Sequence, residues 1–102
     1  MKKIVGNLLY DTEKATEITH YSNGHTGYQR YEETLYKTEN GRFFLYGAGG
    51  PMSPYCVSHD ENSFSGSENI IPISGDELFC WLVEKGEVEL AQEYFGKKIK
   101  EA

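Results

Sequence analysis

Apolar and polar residues alternate through two runs of the chain, about 31–38 and 42–47, with Asn40-Gly41 between them. A period of two marks half-buried strands, and Asn-Gly between two such runs is the strongest short-range hairpin signal. Both residues tolerate positive φ, which a type I′ turn demands at its two central positions. That turn sets a register with Glu39 opposite Arg42, Thr38 opposite Phe43, Tyr36 opposite Leu45 and Leu35 opposite Tyr46. One face of the hairpin then carries Thr34, Tyr36, Thr38, Phe43 and Leu45. The other carries Glu33, Leu35, Lys37, Phe44 and Tyr46. Both faces are substantially apolar, so either both are covered or one aromatic face is displayed.

The same reasoning places the remaining elements. Lys2–Val5 and Leu8–Tyr10 flank Gly6-Asn7, a second tight turn with short arms. Thr16–Tyr21 alternates, with Ile18 and His20 on one side and Glu17, Thr19 and Tyr21 on the other. Gly47–Pro54 is a Gly/Pro loop, and Tyr55–Ser58 reads as a short strand. The polar, turn-rich stretch His59–Asn69 reads as a loop. Ile70–Ile73 reads as an edge strand, because Pro72 has no N–H for a ladder. Ser74-Gly75-Asp76-Glu77 is a capping box that starts a helix over 75–85, which Gly86 ends. Val88, Ala91 and Phe95 recur at helical spacing over 87–95. Strands first and helices last predict an α+β domain: a small antiparallel sheet around the central β-hairpin at about 31–47, with two C-terminal helices packed on one face. A length of 102 residues fits a single domain over 1–102, with a frayed basic tail at 97–102.

Charge changes this picture only when it is located. The net charge of −6 is unevenly spread, since residues 1–42 hold six acids and six bases whereas residues 43–96 hold nine acids against Lys85 alone. An acidic half repels phosphates, which argues against nucleic acid as the direct ligand of that half and suits a basic partner. Plain solubilisation of a small domain is the competing explanation. Eight tyrosines supply apolar area with a polar tip, suited to half-buried sheet positions and to interfaces. No apolar run reaches membrane-spanning length and no secretory signal follows Met1, so a soluble, cytoplasmic protein is expected. Cys80, between Phe79 and Trp81, is expected to be a buried free thiol rather than half of a disulfide with Cys56.

Candidate chemistry is sparse. The glycines of 47–50 follow a strand but lack the Lys-Ser/Thr of a phosphate-binding loop, and a tight crossing loop explains them better. His20, His25, Cys56 and His59 lack paired knuckle spacing, so neither a metal nor a cofactor is indicated. His20, His25, Tyr28, Arg30 and Tyr31 lie close enough in sequence to supply a metal-free acid/base pair, although such groupings arise by chance in many small domains. An enzyme is therefore the lesser expectation.

Three blocks carry a resemblance: YDTEKATEI at 10–18, ETLYKTENGRFFLYGAGGPMSPY at 33–55 and IIPISGDELFCWL at 70–82. Together they resemble a family of small mobile-element proteins of Gram-positive bacteria, similar to the shared N-terminal module of several type II-A anti-CRISPR proteins. The resemblance spans about 10–83. It departs at Ala48, where an acidic residue is common, and near Phe64, where a Trp is common. It implies an anti-CRISPR inhibitor of a type II RNA-guided nuclease, acting on assembly of nuclease with guide RNA. The alternatives are an enzyme or activator of nuclease-dependent guide truncation, and an interaction domain of the mobile element with another partner. The contacts expected for the inhibitor are Tyr36 and Phe43 on the hairpin and Asp60, Glu61 and Glu68 in the loop. An uncovered aromatic hairpin face also leaves a homodimer open.

Overall fold

The computed structural model describes residues 1–24, 27–60 and 63–102, with the backbone alone at 59, 60 and 63. Among the described residues eight strands precede two α-helices: β1 (Lys2–Val5), β2 (Leu8–Asp11), β3 (Thr16–Ser22), β4 (Tyr31–Lys37), β5 (Phe43–Gly49), β6 (Val57–Asp60), β7 (Ser63–Ser65), β8 (Ser67–Ile73), α1 (Gly75–Glu84) and α2 (Val88–Phe95). The α+β class and the central hairpin are as the pattern predicts. The chain divides into two compact units, Met1–Pro72 and Ile73–Ala102.

In the first unit the main sheet has the strand order β3-β4-β5-β8. The turn that closes β4–β5 is not type I′. Asn40 keeps a negative φ and only Gly41 is left-handed, at +83°. Thr38 and Arg42 close a three-residue loop, the Thr38 N–H donating to the Arg42 carbonyl at 2.8 Å and the Gly41 N–H to the Thr38 carbonyl at 3.0 Å. The Thr38 hydroxyl also accepts from the Arg42 N–H at 3.0 Å. One extra loop residue moves the register by one, pairing Tyr36 with Phe44, Leu35 with Leu45 and Thr34 with Tyr46. With a side-chain period of two, that slip exchanges every side chain of β5 between faces. Tyr36, Phe44 and Tyr46 therefore share one face; Leu35, Phe43 and Leu45 share the other.

The Tyr36 face holds one part of the first unit's core. Tyr10 and Ile70 cluster with fully buried Phe44, and Ala15, Tyr36 and Tyr46 pack around them. β1 and β2 form a separate two-stranded sheet rather than lengthening the main one, and Tyr10 meets Phe44 edge-on at 5.5 Å between centroids. On the opposite face Leu35 and Leu45 are buried as well, so neither face of the hairpin is displayed in its middle. β3 pairs with β4, and the register shifts between Glu17 and Thr19, leaving Ile18 as the bulged residue. The bulge moves Glu17 to the face of Tyr36, away from Thr19 and Tyr21.

One polar stretch also differs from expectation. Within 59–69, β7 pairs antiparallel with β6 and β8 begins at Ser67, so much of that stretch is strand. β8 does lie at the sheet edge, where Pro72 costs no ladder bond.

In the second unit the capping box forms as its residues dictate. The Glu77 N–H donates to the Ser74 hydroxyl at 3.2 Å, and the Ser74 N–H donates to the Glu77 carboxylate at 3.0 Å. That bond from the Ser74 backbone holds the Glu77 carboxyl below its ordinary range. Gly86, at φ +72°, ends the helix. Leu78, Trp81 and Leu82 are buried, but Cys80 is an exposed free thiol, which corrects the expected burial. The helical step places Cys80 in line with Asp76 and Glu84, on the solvent side. The basic tail is ordered at its start: Gly96–Lys98 forms a 3-10 turn. There the Lys98 ammonium meets Asp76 at 3.1 Å and lies over the Phe79 and Phe95 rings.

Candidate functional site

Strand pairing builds a polar row across the main sheet. His20 on β3 is opposite Thr34 on β4, and Thr34 is opposite Tyr46 on β5. The His20 Nδ1 lies 2.8 Å from the Thr34 hydroxyl, and the Tyr46 hydroxyl donates to the Glu68 carboxylate on β8. Glu32, two residues before Thr34 on the same face, brings a carboxylate oxygen 3.6 Å from His20 Nε2. Two carboxylates thus flank a tyrosine and a histidine on one partly exposed surface. The bond to Glu68 is the main reason that the Tyr46 phenol is pushed up to about 12, followed by burial and the nearby carboxylates. Such a row offers hydrogen-bond acceptors and negative charge, the chemistry that receives lysine or arginine side chains.

The other face holds a tyrosine cluster. Tyr21, Tyr31 and Tyr55 follow one another with ring centroids 6.0 and 6.4 Å apart. The Tyr55 hydroxyl donates to Glu33, and burial followed by that bond drives its ionisation far above the ordinary phenol range. Gly47 makes this possible. A Cβ there would sit 1.9 Å from the Tyr55 ring, so the strand is glycine where the ring crosses it. The glycine-rich segment is thus a packing device, and it corrects the expected loop: β5 runs through Gly49, so residues 47–49 are paired strand and the loop starts only at Gly50.

The expected contact residues do not form one patch. Tyr36 and Phe43 are both half-buried and lie on opposite faces. Tyr36 stacks on Phe44, while the Lys37 ammonium covers Phe43 at 5.6 Å. Glu68 is exposed on β8, next to Tyr46. Asp60 ends β6 but its side chain falls outside the described atoms, and Glu61 lies outside the described residues. Of the histidine–tyrosine–arginine group, His25 also lies outside them. His20 and Tyr31 project from opposite faces of the sheet, so they do not make an acid/base pair. Sequence reasoning missed the row His20, Thr34, Tyr46 and Glu68 because it depends on the register. The alternation Glu32-x-Thr34-x-Tyr36 was its only visible signal.

The second unit presents carboxylates. Asp76, Glu77, Glu84, Glu89 and Glu93 are all exposed on α1 and α2. Among the described residues no helix is long and apolar enough to cross a membrane. Comparison of the chain with family models, curated proteins and solved structures found no match.

Proposed function

We propose that this chain is an acidic, protein-binding inhibitor of a type II RNA-guided CRISPR nuclease, acting in the cytoplasm of a bacterial host by hindering assembly of nuclease with guide RNA. One observation carries the reading. The exposed charge of α1 and α2 is overwhelmingly carboxylate, and Lys85 is the only base in residues 43–96. A guide-binding nuclease offers a positively charged channel, and a rigid acidic surface competes with RNA phosphates for it. The resemblance of the three sequence blocks supplies the target class. Glu32 and Glu68, beside Tyr46, add acceptors for basic side chains at the main sheet.

The test is guide retention. Purified nuclease is mixed with labelled guide RNA and increasing amounts of this protein, and the bound RNA is measured and then run on a denaturing gel. Inhibition of assembly predicts less bound RNA of unchanged length, with the effect weakening as salt rises. Shortened RNA would replace this reading with guide truncation. Unaltered loading at low salt and excess protein would leave an interaction domain with another partner.

A further inference from the structure

Asp11, the last residue of β2, is a carboxylate only 5% exposed. One of its oxygens serves the turn that follows, Oδ1 accepting from the Glu13 N–H at 3.0 Å. The Asp11 carbonyl fixes the same turn by accepting from the N–H groups of Lys14 and Ala15. The second carboxylate oxygen, Oδ2, accepts no hydrogen bond and meets no cation among the described residues. It is not sealed in either, since no fully occluded side-chain oxygen among them lacks a partner. Asp11 opens onto a cleft of about 180 Å³ between residues 9–15 and the β4–β5 loop at 38–40. Glu39 brings a second carboxylate to that cleft, exposed and in no ion pair. Lys14 is the one base among the lining residues, and its ammonium pairs with neither acid. A carboxylate held as deep as Asp11 costs stability unless donors or a cation meet its free lone pairs.

We propose that this cleft receives an arginine side chain of a protein partner, whose guanidinium donates to Asp11 Oδ2 and reaches Glu39 at the rim. Charge sets the class of ligand, because two carboxylates against one ammonium leave the cleft negative and draw in a cation. A guanidinium is planar, weakly hydrated and carries its donors in a fixed fork. It can therefore meet carboxylates at two depths while its stem lies along Leu9 and Ala15. A compact ammonium is more strongly hydrated and loses more on entering. Small-molecule pockets enclose roughly 300–1,000 Å³, so this smaller cleft fits the end of a side chain. Every residue of the site belongs to the first unit, so the site neither uses α1 and α2 nor depends on the nuclease.

An NMR titration of the isotope-labelled chain with N-acetyl-arginine amide, at constant ionic strength, tests this. Saturable amide shifts confined to 9–15 and 38–40 are expected, half-complete on the order of 1 mM for a ligand of this size. The capped citrulline analogue, a neutral isostere of arginine, should give no saturable response, and an equal response overturns the electrostatic basis. Capped lysine should bind roughly threefold more weakly, and equal or tighter binding overturns the choice of arginine. Asp11→Asn keeps an oxygen for the Glu13 N–H, and hence the turn, but should weaken arginine binding roughly tenfold by removing the charge. Glu39→Gln, on the exposed rim and away from that turn, should weaken it roughly threefold. Lys14→Met removes the competing ammonium and should bind at least as tightly as wild type. Binding that both acid variants retain, binding that Lys14→Met loses, or shifts centred on α1 and α2 would overturn the assignment.

Discussion

The rings of Tyr36 and Phe44 lie face to face across β4 and β5, 10° from parallel with centroids 5.2 Å apart. Phe44 is fully buried between this ring and Tyr10, whereas Phe43, one residue away, is half-buried under Lys37. Phe44→Ala is therefore expected to destabilise the chain by roughly 3–5 kcal/mol, the range for removing a buried phenyl group. Phe43→Ala should cost distinctly less. Urea unfolding of the two variants checks the register directly, since an equal or reversed order would favour the type I′ pairing.

Gly47 and Tyr55 form a second such pair. Gly47→Ala drives a methyl into the Tyr55 ring and is expected to cost about 1–3 kcal/mol, as overpacking does. In a Tyr55→Ala background the same change should be nearly neutral, because the obstructing ring is gone. A thermodynamic cycle over the four proteins measures this, and additive effects would separate the two positions.

The tyrosines also set a pH response. Tyr46 is pushed up to about 12 from an ordinary 10.0, mainly by its bond to Glu68, and Tyr55 is shifted further by burial and Glu33. A phenol whose folded pKa is raised binds more protons in the native state between the two values. Its contribution is complete below the ordinary phenol range and is lost as pH climbs towards the folded value. Phenolate absorbance should rise in at least two phases, with a late component. Glu68→Gln should move part of the late component back towards the ordinary range. A single transition of all tyrosines near pH 10 would contradict this.

At the start of α1, Ser74→Ala removes the hydroxyl that receives the Glu77 N–H and is expected to cost about 1 kcal/mol, typical of a lost cap. The Glu77 carboxyl is held low by the Ser74 backbone N–H. Its support is present above the ordinary carboxylate range and is lost as pH falls through its depressed value. Thermal unfolding followed over acid pH should show a shallower loss in Glu77→Gln than in wild type.

Local chemistry made most of the elements legible. Ser74 and Glu77 cap, Gly86 stops, and Pro72 marks an edge because each acts through its own backbone neighbours. The two errors with consequences came from one-residue choices that local rules leave open. Asn40 tolerates either sign of φ, and whether it joins Gly41 in the left-handed region depends on the register of the β4–β5 pairing. Ile18 looks like an ordinary inward strand residue, and only the pairing of β3 with β4 makes it a bulge. Both choices are tertiary, and both reassign faces. The polar row His20–Thr34–Tyr46–Glu68 was hidden for that reason, and the expected contact pair Tyr36 and Phe43 was split by it. Cys80 was misplaced differently: its apolar neighbours in sequence point elsewhere around the helix.

The most direct test of the inhibitory reading is a comparison of binding to guide-free and guide-loaded nuclease by titration calorimetry at low and raised salt. Competition of the carboxylates of α1 and α2 for the guide-binding surface predicts binding to the guide-free nuclease, at least tenfold weaker binding once guide is loaded, and weakening of both with salt. A combined Asp76→Asn, Glu84→Gln and Glu89→Gln variant should lose most of that affinity while keeping its fold. Equal affinity for the two nuclease forms, or binding that this variant retains in full, would contradict the account.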